Sequence, residues 1–152
     1  GVGEAMALMR RKGYRIVVFS NQYGISEGKL TQADVDRVHE TMLEKLGDAG
    51  CPSIDMLYYS TSKMKEDVYA MPNTGMMERA ERETNVKFRE GWFVGDKFSD
   101  IKTAQNLKSK PILIKTGDWE QTIKKLDTFG NRDLKSKVLI YESLLEFAES
   151  LE

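Results

Sequence analysis

The chain predicts an α/β fold, a three-layer, Rossmann-like parallel sheet with helices on both faces. Three observations carry this reading. Short apolar runs of strand length recur along the chain, separated by segments whose apolar residues follow helical spacing. The order is a helix, then strand and helix alternating five times, as parallel strands joined by right-handed crossovers require. Tyr14 to Phe19 is a near-continuous apolar run, the mark of a strand covered on both faces.

Taken in order, Ala5, Met6, Leu8 and Met9 form one helical face that stops at Lys12-Gly13. After the strand to Phe19, Ser20 to Gly28 is a polar, glycine-marked loop. Thr31 caps a long helix with Val35, Val38, Met42, Leu46 and Ala49 inward, ended by Gly50 and Pro52. Ile54 to Tyr59 is a second strand and Ser60 to Ala70 a polar surface loop. Pro72-Asn73 opens a third helix with Met76, Met77 and Ala80 inward. The strand running into Gly95-Asp96 follows, then a helix with Ile101, Ala104 and Leu107 on one side. Pro111 to Ile114 is a short strand, and Asp118 caps the helix of Trp119, Ile123 and Leu126. Val138 to Tyr141 makes a last strand before a closing helix lined by Leu144, Leu145, Ala148 and Leu151. Methionines along these faces are core filler, and His39, the only histidine, is structural.

With 152 residues the chain is long enough for one domain with a real core. Lys plus Arg is 23 against 24 Asp plus Glu, so no general basic field exists to draw nucleic acid or a membrane surface. Nucleic acid and membranes are therefore not expected as partners. The single Cys51 excludes an internal disulfide and fits a reducing, cytoplasmic setting. No apolar run approaches the roughly 20 residues that span a bilayer, and the first residues show no signal-peptide pattern.

Two motifs carry chemistry. Gly91 to Asp100 is an apolar strand running into Gly95-Asp96, with a second carboxylate, Asp100, at the start of the next helix. Open parallel sheets place ligands at such strand ends, and two hard oxygen ligands suit a Mg²⁺ that also meets a substrate phosphate. The structural alternative is a turn in which Asp96 or Ser99 merely caps the helix. At the end of the first strand, Ser20 and Asn21 offer a hydroxyl, an amide and nearby N–H groups to a phosphate oxygen. Their structural alternative is an ordinary turn.

Val17 to Gly28, Pro72-Asn73-Thr74-Gly75-Met76, Val94 to Asp100 and Ile112 to Gly117 together resemble phosphatases of the haloacid dehalogenase superfamily. The branch is the one containing heptose-bisphosphate and histidinol-phosphate phosphatases, and Ser20 to Leu30 also resembles the phosphatase domain of polynucleotide kinase-phosphatase. The resemblance covers nearly the whole chain. It implies phosphoryl transfer to an aspartate followed by hydrolysis, assisted by Mg²⁺. It also implies that Asp96 is a metal ligand, that Asp100 supports the metal site, and that Ser20, Asn21 and Lys97 bind the phosphate.

Two departures from the family pattern matter. The Asp-x-Asp that supplies the nucleophile is absent from the given residues, and the resemblance places it on a central strand upstream of Gly1. The domain, residues 1–152, is therefore expected to be N-terminally incomplete, its missing strand lying between the one ending at Ser20 and the one ending at Asp96. Second, Ala70-Met71-Pro72 stands where the family carries a lysine that neutralises phosphate charge. Loss of one such preorganised charge commonly costs about 10²–10³ in rate; Lys63 or Lys65 could substitute. Residues 60–70 hold no cysteine or histidine, so the structural zinc of some relatives is not expected.

The expected function is Mg²⁺-dependent hydrolysis of a small phosphorylated metabolite, such as a sugar phosphate or heptose bisphosphate. The alternatives are a catalytically inactive phosphate-binding relative and a polynucleotide 3′-phosphatase.

Overall fold

The expected alternation of strands and helices is present in the computed structural model, which describes residues 1–51, 53–62 and 64–152. Helix α1 (Val2–Arg11) leads into strand β1 (Val17–Asn21), α2 (Gln32–Asp48) and β2 (Met56–Ser60). Helix α3 (Gly75–Thr84), β3 (Trp92–Gly95), α4 (Phe98–Leu107) and β4 (Lys110–Ile114) follow. The chain closes with α5 (Trp119–Leu126), a short α6 (Arg132–Lys135), β5 (Leu139–Tyr141) and α7 (Leu144–Ser150). Pro52, expected to end α2, and Lys63 lie outside the described residues.

Local chemistry explains most boundaries. Thr31 and Asp34 form a reciprocal capping box at the start of α2, the Thr31 hydroxyl taking the Asp34 N–H and the Asp34 carboxylate taking the Thr31 N–H. Met76, Met77 and Ala80 of α3 are buried as the spacing predicts. Strand β1 starts at Val17 and not at Tyr14. Tyr14 N–H closes the end of α1 on Met9, and Ile16 N–H donates to the Asp55 carboxylate at 2.6 Å. Val38, predicted to face the core, is 57% exposed. The polar, weakly patterned stretch before β5 gave no signal for α6, which packs through the buried Leu134.

The strands form two ladders. β1 pairs in parallel with β2, Val17 opposite Met56 and Asn21 opposite Ser60. β3, β4 and β5 pair in parallel in that order, with Trp92 opposite Lys110 and Ile112 opposite Leu139. No backbone ladder joins β1 to β3 among the described residues. All five residues of β1 are only partly buried, against the expectation of a strand covered on both faces. The reason is that, among the described residues, β1 is hydrogen-bonded on one side only, so that edge gains no neighbouring strand to shield it.

Helices cover both faces. On one side α1, α2 and α7 bury Met6, Ala7, Leu46 and Phe147 against Ile16, Ile112 and Ile114. Met9 and Leu144 belong to both of these clusters, so this layer spans the two ladders. On the other side α3 and α4 bury Met77, Ala80 and Ala104 against Tyr58 and Phe93, while α4, α5 and α6 bury Ile101, Leu126 and Leu134 against Leu113. His39 packs its ring on Tyr59 with centroids 5.2 Å apart, the structural role expected for it. No helix among the described residues is long and apolar enough to cross a membrane.

Candidate active site

The β3–α4 turn is built around Asp100. Its Oδ2 accepts the backbone N–H of Asp96 at 3.2 Å and of Lys97 at 3.0 Å, tying the turn to the first helical residues. This is possible because residue 95 is glycine: a Cβ there would lie 2.3 Å from Asp100 Oδ2. Burial pushes the Asp100 carboxyl above its ordinary value; the Lys97 N–H opposes the shift and the Asp96 charge adds to it. Asp100 thus supports the turn, and Asp96 and Asp100 form a like-charged pair that a cation would relieve.

Asp96 does not cap α4. Its Oδ2 accepts the N–H of Asp118 at 2.8 Å, and its main-chain carbonyl accepts the hydroxyl of Thr122, also at 2.8 Å. Asp118 occupies the N-cap position of α5, but its side chain makes no capping hydrogen bond, contrary to expectation. That carboxylate instead lies 4.0 Å from Lys97 Nζ, so the lysine stands beside Asp96 at the mouth of the same turn. Trp119 is half-buried, with Lys115 Nζ 5.4 Å from its ring centroid.

Ser20 and Asn21 close β1 at its carboxyl end. Alternation along the strand sends Ser20 to the side of Val18, toward α1 and α2, and Asn21 to the side of Phe19, toward α3. Ser20 Oγ accepts from Gln22 Nε2 at 3.0 Å. Asn21 Oδ1 is buried and meets no hydrogen-bond partner among the described residues. Phe19, immediately before this pair, stacks on Phe93, three residues before Asp96, with ring centroids 6.2 Å apart.

The position expected to hold a lysine points elsewhere. Met71 packs against the cluster of Tyr58, Met76, Phe93 and Ala104. Lys65 is exposed, and its carbonyl accepts from Asn73 Nδ2 at 2.7 Å. Lys63, the other substitute, lies outside the described residues. Among the described residues no group of three or more His, Cys, Asp or Glu side chains converges to hold a metal. Asp96 and Asp100 are the two carboxylates at this strand end that could hold one edge of a Mg²⁺ ion, which keeps waters and uses one or two carboxylates beside a substrate phosphate. The bonds to Asp96 from the Asp118 N–H and the Thr122 hydroxyl have no signal in the sequence beyond the Thr116-Gly117 motif at the next strand end.

A family model described as polynucleotide kinase 3 phosphatase matches residues 1–136. The chain belongs to that family. It is a phosphatase of the haloacid dehalogenase superfamily, and by class a phosphoric monoester hydrolase.

Among curated relatives, this phosphatase is 31% identical over 133 residues to the D-glycero-D-manno-heptose-1,7-bisphosphate 7-phosphatase of Chlorobaculum tepidum, covering 79% of this chain and 66% of that protein. It is 24% identical over 151 residues to the D-glycero-beta-D-manno-heptose-1,7-bisphosphate 7-phosphatase of Pseudomonas putida, covering 99% of this chain and 82% of that one. The D,D-heptose 1,7-bisphosphate phosphatase of B. bronchiseptica, solved in complex with magnesium and phosphate, superposes with a TM-score of 0.85 at 22% identity. That match covers 98% of this chain and 80% of the other and confirms the α/β fold of the superfamily.

Proposed function

We propose that the protein hydrolyses a small phosphorylated sugar, a heptose bisphosphate being the leading candidate, with Mg²⁺ as cofactor and in the cytoplasm. The observation that supports this reading is the Phe19–Phe93 contact, which packs the residue before Ser20-Asn21 against a residue three positions before Asp96. The names of the relatives support the sugar, and the one solved with magnesium and phosphate supports the cofactor.

In this reading Asp96 is the metal-binding carboxylate and Asp100 holds its turn. Bound Mg²⁺ would screen the phosphate charge and act as a Lewis acid at a phosphoryl oxygen. Ser20, Asn21 and Lys97 bind the remaining phosphoryl oxygens, the unpartnered Oδ1 of Asn21 marking a group that still needs a donor. Because Oδ1 is an acceptor, it suits a substrate hydroxyl or a water, while the Asn21 amide N–H₂ suits the phosphate. Lys97 contributes a cation without the preorganisation that the absent lysine at Met71 would give.

The nucleophile in this proposal is an aspartate of an Asp-x-Asp segment preceding Gly1. Its strand would insert between β1 and β3, each of which is hydrogen-bonded on one side only among the described residues. The aspartate attacks phosphorus, the P–O ester bond breaks, and the sugar oxygen leaves with a proton given by the second aspartate of that segment, which later takes one back from the attacking water. Water then cleaves the acyl phosphate and releases inorganic phosphate.

The name of the matched family favours a second reading, a polynucleotide 3′-phosphatase. The near-zero net charge weighs against a phosphate-tracking groove. One assay separates the two. The full-length protein is given heptose bisphosphates, other sugar phosphates and a 3′-phosphorylated oligonucleotide, with and without Mg²⁺. Metal-dependent phosphate release from the sugars is expected, and release from the oligonucleotide alone favours the second reading. A folded protein that releases phosphate from none of them sinks both.

A further inference from the structure

We infer that the first turn of α5, together with the glycine before it, is a positioning element for Asp96. Three groups act on that one residue. The Asp118 N–H donates to Asp96 Oδ2, and the Thr122 hydroxyl donates to the Asp96 carbonyl, each at 2.8 Å. Gly117 sits at φ +50°, where a Cβ would fall 2.2 Å from Asp96 Oδ2. The inference rests on the reading of Asp96 as the metal-binding carboxylate.

The geometry is selective. A carboxylate on a turn has two free torsions and would sample several orientations in water. Here one oxygen is pinned from α5 while the main chain of the same residue is pinned two turns' reach away, by a threonine that is 1% exposed. A buried hydroxyl spent on the carbonyl of Asp96 fixes the backbone from which the carboxylate projects. Oδ2 being held, the other oxygen is presented in one direction. Groups that hold a metal-binding carboxylate in this way typically alter metal affinity about 10–100-fold when removed.

Gly117 does two jobs at once. Its positive φ carries the chain out of β4 toward Asp118, a conformation that side chains with a Cβ adopt only under strain. Its missing side chain leaves the room that Asp96 Oδ2 occupies. Alanine there would push the carboxylate away from the Asp118 N–H. Thr122 is the cleaner probe, because valine keeps its shape and loses only the hydroxyl, and serine keeps the hydroxyl and loses only a methyl group.

The test uses the full-length protein and three variants, Thr122→Val, Thr122→Ser and Gly117→Ala. Mg²⁺ binding is measured by calorimetry, and exchange of the Asp118 amide by NMR without metal. The wild-type Asp118 amide is expected to be protected, and Asp96→Ala to speed its exchange; an unprotected amide in the wild type overturns the inference whatever the metal does. Thr122→Val and Gly117→Ala are expected to weaken Mg²⁺ binding about 10–100-fold with the fold retained, and Thr122→Ser to restore it. Equal Mg²⁺ affinity in the wild type and both damaging variants overturns the inference and leaves the metal reading intact. A wild-type protein that is folded, shows the protected amide and takes up no Mg²⁺ overturns the metal reading and the positioning role with it.

Discussion

The rings of Phe19 and Phe93 lie 6.2 Å apart and within 11° of parallel, across the seam between the two strand ladders. Phe19 also stacks on Tyr58 at 5.8 Å and meets Phe88 edge-on at 5.6 Å. Since no ladder hydrogen bond crosses the seam among the described residues, side chains and the shared α1–α7 layer hold the halves together. Phe93→Ala should lower unfolding free energy by about 3–5 kcal/mol in urea titrations. A double-mutant cycle with Phe19→Ala should show a coupling of about 0.5–1.5 kcal/mol. Strict additivity would mean the ring contact does not join the two halves.

Asp55 ties α1 and the amino ends of β1 and β2 together within one half. It accepts from Arg10 at 2.8 Å, from Arg15 at 2.6 Å and from Ile16 N–H at 2.6 Å. Burial works to raise its pKa, but the Ile16 N–H and the two guanidinium groups outweigh it, and the carboxyl sits below its ordinary value of 3.8. A depressed carboxyl stabilises the fold above the unfolded value and loses that contribution as pH falls through the folded one. Asp55→Asn should therefore cost about 1–3 kcal/mol at neutral pH, and its deficit against wild type should shrink in denaturant titrations run below pH 3.8. A deficit that stays constant with pH would contradict the assignment.

Asp100 has the opposite sign. Its folded value is raised by burial, against its hydrogen bond from Lys97 N–H and with help from the Asp96 charge, so charging it disfavours the fold. Without metal, the wild type should lose stability relative to Asp100→Asn as pH rises from 3.8 through the raised value. Saturating Mg²⁺ should reduce that loss, because a cation offsets the paired negative charge. Parallel pH series with and without Mg²⁺ check both statements, and a wild type that gains on the variant with rising pH would refute the first.

Lys12 reaches across from the end of α1 to the carboxyl end of α7. Its Nζ donates to the carbonyls of Ala148 and Glu149, each at 3.0 Å, and to that of Leu151. A cation at a helix C-terminus meets both the unpaired carbonyls and the helix dipole. Lys12→Met keeps the aliphatic stem and should lower the thermal midpoint by the equivalent of about 1 kcal/mol. An unchanged midpoint would place the docking of α7 wholly in its apolar contacts.

The sequence by itself determined the alternation of elements, the inward faces of α3 and α4, and the placement of Asp96 and Asp100 about a glycine turn. These depend on short-range rules: apolar periodicity, capping chemistry, and the backbone freedom of Gly95. The tertiary structure decided what those rules cannot reach. It alone set the exposure of Val38 and the packing of Met71 against the core. It also alone gave Asp96 its partners, Asp118 and Thr122, which lie 22 and 26 residues along the chain. Contacts of that range form only when the parallel topology brings neighbouring strand ends together, and a single sequence encodes that topology in the sum of its packing and in no one stretch.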